Sequence, residues 1–106
     1  MERENGRLRV TAWNNGGRTY GLRIGARQRD RYFDQDWEQV QIELDGERQS
    51  FSITPGFWNQ CPEIRDRGRP VIREWLAKHR NLEWPRGHPP EMELVRLTEN
   101  RFQLVP

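Results

Sequence analysis

Gln39-Val40-Gln41-Ile42-Glu43-Leu44-Asp45-Gly46-Glu47-Arg48-Gln49-Ser50-Phe51-Ser52-Ile53 reads as two strands joined by a tight turn. Val40, Ile42 and Leu44 alternate with Gln39, Gln41 and Glu43, the period of two that turns one face to a core and the other to water. Asp45-Gly46 is a residue pair that tolerates positive φ at both positions, and Phe51 and Ile53 resume the alternation on the return. The outer face of this hairpin is acidic, with Glu43 and Glu47 joined by Glu38 and the nearby Asp34 and Asp36.

The flanking sequence extends the same architecture. Leu8, Val10 and Ala12 alternate with Arg7, Arg9 and Thr11, then Asn14-Asn15-Gly16-Gly17 turns the chain, and Tyr20, Leu22 and Ile24 alternate again. The outer face of this first hairpin carries Arg7, Arg9, Trp13 and Arg23. Residues 25–33 form a short helix with Arg27 and Arg31 one turn apart and Arg29 elsewhere around it. Thr54-Pro55 reads as a cap and first turn of a helix that carries Phe57, Trp58 and a core Cys61 until Pro62 stops it. A further helix starts near Pro70, buries Val71, Ile72, Trp75 and Leu76, and ends near Asn81. Three prolines stiffen the connection from Trp84 to Pro90. Met92 and Leu94, then Val95 and Leu97, switch face, the mark of a bulge, before Thr98-Glu99-Asn100 turns into a closing strand with Phe102 and Leu104.

The expected order is therefore ββαββααββ. This is an α+β domain with an antiparallel sheet, or partly closed pseudobarrel, of about six strands and two or three short helices. Residues 1–6 are expected to fray and residues 7–106 to form one globular domain. Strand and helix do not alternate, and no Gly-rich phosphate loop follows a strand, which excludes the nucleotide-binding α/β folds.

Only 33% of the 106 residues are apolar and 32% are charged, so five Trp, four Phe and two Tyr must supply much of the core. A single cysteine forms no internal disulfide, and the chain has neither a spanning hydrophobic run nor a signal-peptide core. A reducing cytoplasm and no membrane partner are the expectation.

Charge order points to a partner. Seventeen of the eighteen cationic side chains are Arg, Lys78 being the exception. Residues 1–31 hold eight Arg against three acids, residues 32–66 two Arg against eight acids, and residues 67–90 six cations against two acids. Arginine offers a rigid fork of donors to phosphate and guanine edges and a flat face for stacking, although a GC-rich coding sequence produces the same bias. The expected function is a small nucleic-acid-binding domain or accessory subunit, prokaryotic in style. Its phosphate grip would come from Arg7, Arg9, Arg18, Arg23, Arg27, Arg29 and Arg31 acting with Arg65, Arg67, Arg69 and Arg73 on one surface. Asn14, Asn15 and Gln28 are the candidates for base edges and Trp13 for stacking. The alternative is an adaptor or inhibitor subunit that docks on a larger complex, or on copies of itself, through opposed acidic and basic faces. Cys61, His79 and His88 are too few and too scattered for a nucleophile pair or zinc site, so no catalytic site, metal or cofactor is expected.

The layout of two strand pairs, a tryptophan-bearing helix (Ile72, Trp75, Leu76), a Leu82-to-Gly87 connection and a final strand pair ending at Phe102 and Leu104 resembles the DNA-binding pseudobarrel family. That family comprises plant transcription-factor domains and the effector domains of certain restriction endonucleases. The resemblance covers roughly residues 18–105. It implies DNA as the favoured partner, read in the major groove by two loop arms, with Arg27 to Arg31 on one of them.

Overall fold

A computed structural model describes residues 6–60 and 62–106. The decisive hairpin is present as β3 (Gln39–Leu44) and β4 (Glu47–Ser52), paired from Leu44↔Glu47 to Gln39↔Ser52. Asp45 and Gly46 take φ of 54° and 86°, the left-handed pair that a two-residue hairpin turn requires. Upstream lie β1 (Arg7–Asn14), β2 (Tyr20–Ile24) and α1 (Ala26–Tyr32). Downstream come a 3₁₀ turn (Pro55–Trp58), β5 (Glu63–Arg65), α2 (Val71–His79), β6 (Glu91–Thr98) and β7 (Arg101–Val105).

All seven strands join one sheet in the order β4-β3-β7-β6-β1-β2-β5. Its edges, β4 and β5, approach within 8 Å between Cα atoms without pairing, so the sheet is a nearly closed barrel. The inward residues Leu8, Val10, Leu22, Ile24, Val40, Ile42, Met92, Leu94, Phe102 and Leu104 are all buried. Helix α2 adds Ile72, Trp75 and Leu76 to that core against β2 and β3, each fully buried aliphatic contributing about 1.5–3 kcal/mol. Phe33, just past α1, stacks on Phe102 at 5.2 Å and meets Phe57 at 5.2 Å, which ties α1 and the 3₁₀ turn to the sheet.

The α+β class and barrel-like closure match expectation, with four differences in detail. Among the described residues there are seven strands, not six, because Glu63-Ile64-Arg65 adds a three-residue strand to β2. The helix expected after Thr54 is a single 3₁₀ turn, ended at Asn59 before a second turn can form. Helix α2 stops at His79, as Arg80 leaves helical geometry. The pairing of β7 with β3 is parallel, from Gln41↔Arg101 to Glu43↔Gln103, which only the long excursion through α2 and β6 makes sterically possible.

The bulge lies between Arg96 and Thr98 and pushes Leu97 outward to 44% exposure. Gly6 is buried and its carbonyl accepts from Arg96 N at 2.8 Å, so it belongs to the sheet's border. Residues 1–5 and the expected core position of Cys61 lie outside the described residues. Among the described residues no helix is long and apolar enough to cross a membrane.

Candidate nucleic-acid interface

The N-terminal arginines divide into two groups by their position along β1 and β2. Arg7 pairs with Glu93 at 2.6 Å and Arg9 with Glu91 at 3.7 Å, both diagonally across β1 and β6. Arg23 pairs with Glu63 at 2.7 Å across β2 and β5. Glu63 is 1% exposed at its side chain and holds Arg65 with its other oxygen at 3.1 Å, so one buried carboxylate is shared by two guanidiniums. This outer face alternates in charge and has no block of a single sign.

Further along, Arg29 is buried in α1. Its Nη1 donates to Phe57 O at 3.0 Å, its Nε donates to Asp30 at 3.0 Å, and its guanidinium lies 5.3 Å from the Trp58 ring. Gln28 accepts from Arg9 N at 3.1 Å and directs its amide nitrogen at Arg9 O, continuing the ladder beyond the end of β2. Arg27 is exposed on α1, and Arg31 lies 5.6 Å from the Tyr32 ring. Arg7, Arg9, Arg23, Gln28 and Arg29 are thus bound into the fold.

At the opposite end of β1 the two stretches meet. Asn14 and Asn15 turn their side-chain oxygens onto Gly16 N (2.8 Å) and Gly17 N (2.9 Å), which fixes the β1–β2 loop and leaves Arg18 exposed at its tip. The guanidinium of Arg65 lies 4.5 Å from the ring of half-buried Trp13. Asp66 N donates to Tyr20 O at 2.9 Å, and Arg73 in the first turn of α2 lies 6.0 Å from the Tyr20 ring.

The link from β5 to α2 is a rigid support for Arg67 and Arg69. Pro70 precedes α2 and provides no side-chain cap. Asp66 provides it instead, its Oδ1 accepting from Ile72 N at 2.8 Å and its Oδ2 from Arg73 N at 3.0 Å. Burial holds the Asp66 carboxyl above its usual range, against the lowering effect of these two bonds. Between Asp66 and Ile72 the chain makes two successive three-residue turns, Arg69 N to Arg67 O and Val71 N to Arg69 O, both 2.9 Å. The first needs φ of 78° at Gly68, which glycine adopts without strain.

These turns set Arg67 and Arg69 beside Arg65 on one wall of a cleft of about 120 Å³ along the open seam. The facing wall is the β4 edge, Gln49, Ser50 and Ser52, and the apolar lining is Phe51 and Val71. Among the described residues no carboxylate lines this cleft. Arg67 and Arg69 are exposed and form no ion pair among the described residues.

The seam also leaves backbone groups unpaired. Pairing of Leu44 with Glu47 at the turn and the Ile53 N to Glu38 O bond place Glu47, Gln49, Phe51 and Ile53 toward β3, so Arg48, Ser50 and Ser52 face the seam. On the other side, the Ile24 N to Pro62 O and Asp66 N to Tyr20 O bonds leave Glu63 and Arg65 facing it.

Reasoning from sequence missed Gln49, Ser50, Ser52, Glu63 and Asp66. Only Asp66 left a signal there, as an acid upstream of a helix whose capping position is proline. Trp13, Trp37, Trp58 and Trp84 are all half-buried against other rings or guanidiniums, and Leu97 is the exposed large apolar side chain among the described residues. No group of three or more His, Cys, Asp or Glu is placed to hold a metal ion among the described residues. Comparison with protein-family models, with curated proteins and with solved structures finds no match.

Proposed function

We propose that this chain is a small, non-enzymatic nucleic-acid-binding module, with DNA the favoured partner, whose working surface is the end of the barrel that carries Arg18, Arg65, Arg67, Arg69 and Arg73. The observation that supports this most is the seam cleft, where Arg67 and Arg69 stand beside the Glu63-bound Arg65 with no carboxylate in the lining among the described residues. Elsewhere, Arg7, Arg9 and Arg23 already have partners that would have to be displaced. Phosphate is the group that a cluster of planar guanidiniums binds best, through paired charge-assisted hydrogen bonds. The acids of the β3–β4 turn, Asp45 and Glu47, adjoin this end beyond Arg69 and would orient an incoming polyanion. A chain with one cysteine suits the reducing cytoplasm in which such a partner is met.

Five phosphate contacts correspond to a slope of about −4.5 in log affinity against log salt for duplex DNA, and about −3.5 for single strands. An anisotropy titration of a labelled oligonucleotide over several salt concentrations tests this. A titration flat in salt overturns the proposal.

A second reading has one observation in its favour, the unpaired backbone of β4 and β5 along the seam, a template on which another chain can add a strand. It makes the chain an adaptor that docks on a larger complex or on copies of itself. Sedimentation separates the two: a monomer that retains nucleic acid supports the first, and self-association or a stoichiometric protein partner without nucleic acid supports the second.

A further inference from the structure

The seam differs in charge along its length. Toward the β3–β4 turn, Gln49, Arg69 and Val71 are shared between the arginine cleft and a wider hollow of about 360 Å³. The remaining charged residues there are Asp45, Glu47, Glu74 and Lys78, three acids to one cation. Toward the 3₁₀ turn, Ser52, Arg65 and Arg67 are shared with a hollow of about 250 Å³ that also contains Thr54, Gly56 and Glu63. Its one carboxylate, Glu63, is buried and already held by Arg23 and Arg65. A polyanion lying along the seam is therefore attracted at the arginines, tolerated beyond Thr54 and repelled beyond Arg69.

Size imposes the same limit. At about 120 Å³ the cleft is the smallest of these three hollows and suits a phosphate group better than a whole nucleotide. A phosphate inside a strand has a sugar on both sides and needs an exit at each end of the cleft, one of which leads to Asp45, Glu47 and Glu74. A terminal phosphate needs a single exit. It also carries a charge of about −1.5 to −2 and three strong acceptor oxygens, matched here by the unpaired Arg67 and Arg69, by Arg65 beside them and by the seam-facing amides and hydroxyls of Ser50 and Ser52.

We propose that the cleft receives the terminal phosphate of a nucleic-acid strand, held by Arg65, Arg67 and Arg69, with the strand leaving past Ser52 and Thr54. This rests on the nucleic-acid function proposed above and specifies which part of the polymer is recognised. Arg65 is oriented for the role by Glu63 and by Trp13, while Arg67 and Arg69 are presented by the two turns around Gly68 and Pro70.

The test uses three internally labelled oligonucleotides of one sequence, bearing a 5′-phosphate, a 3′-phosphate or neither, titrated by anisotropy at fixed salt. One phosphorylated end is expected to bind about tenfold or more tighter than the unphosphorylated strand. Arg67→Gln/Arg69→Gln is expected to abolish that preference, and inorganic phosphate to compete for it. Three equal affinities that still fall with salt overturn the terminal-phosphate proposal and leave nucleic-acid binding standing. No binding by any of the three overturns both.

Discussion

The Arg65 guanidinium lies 4.5 Å from the ring centroid of Trp13, and this contact joins the two arginine-rich stretches of the chain. Trp13 stands opposite Gly21 in the β1–β2 ladder, and Gly21 stands opposite Arg65 in the β2–β5 ladder. The indole thus reaches across a strand that has no side chain to obstruct it. A Cβ on Gly21 meets Ile64 O and the Arg65 backbone. Trp13→Ala is expected to cost about 1–2 kcal/mol, of which the cation–π contact supplies about 0.5–1. Gly21→Ala is expected to cost about 1–3 kcal/mol. Urea denaturation measures both, and unchanged midpoints would remove this strand-crossing contact from the account of stability.

Arg29 is expected to behave as a core residue. Replacing it with Met keeps the aliphatic stem but leaves Phe57 O without its donor, at a cost of about 2 kcal/mol. Nucleic-acid affinity of the folded variant should be unchanged. A variant of full stability with weakened binding contradicts this placement.

Asp66 separates capping from charge. Asp66→Ala removes both acceptors from the start of α2 and is expected to cost about 1–2 kcal/mol, with Asp66→Asn costing less because one acceptor survives. Burial raises the Asp66 carboxyl above 3.8 in the folded chain, so its ionisation equilibrium favours folding at low pH. That contribution is full below 3.8 and is lost as pH rises through the folded value. The stability of the parent relative to Asp66→Asn should therefore decline across that window, and a difference that grows with pH contradicts the sign.

Asp45 gives the opposite slope. Its carboxylate, 2.8 Å from His79 Nε2 and 3.3 Å from Lys78 Nζ, is held below 3.8 first by the His79 bond, with Lys78 adding to it. The turn's grip on the end of α2 is therefore present above 3.8 and lost as pH falls through the lower folded value. Asp45→Asn tolerates the positive φ and removes only the charge. Thermal unfolding followed below 3.8 should show the parent losing its advantage over this variant, and parallel acid profiles would exclude the contribution.

How much could be read beforehand follows from the range of each interaction along the chain. The β3–β4 hairpin was legible because its alternation and its Asp45-Gly46 turn are local, and the bulge near Leu97 showed as a change of face within eight residues. Strand β5 was not legible: three residues carry no period, and a buried Glu63 is intelligible only once Arg23 and Arg65 are known to hold it. The parallel β3–β7 pair leaves no local pattern at all. The same limit governed the site. Arg7 looked available for phosphate because its partner, Glu93, is 86 residues away, whereas Arg67-Gly68-Arg69 was visible as a basic run but not as one wall of a seam.

The assignment of binding to the seam end of the barrel is tested most directly by comparing two double variants in one titration with the same labelled oligonucleotide. Arg67→Gln/Arg69→Gln removes two unpaired guanidiniums from the cleft, and Arg7→Gln/Arg9→Gln removes two that already pair with Glu93 and Glu91. The first is expected to weaken affinity about thirtyfold or more and the second about threefold or less. Equal losses, or a larger loss from the Arg7 and Arg9 pair, would contradict it.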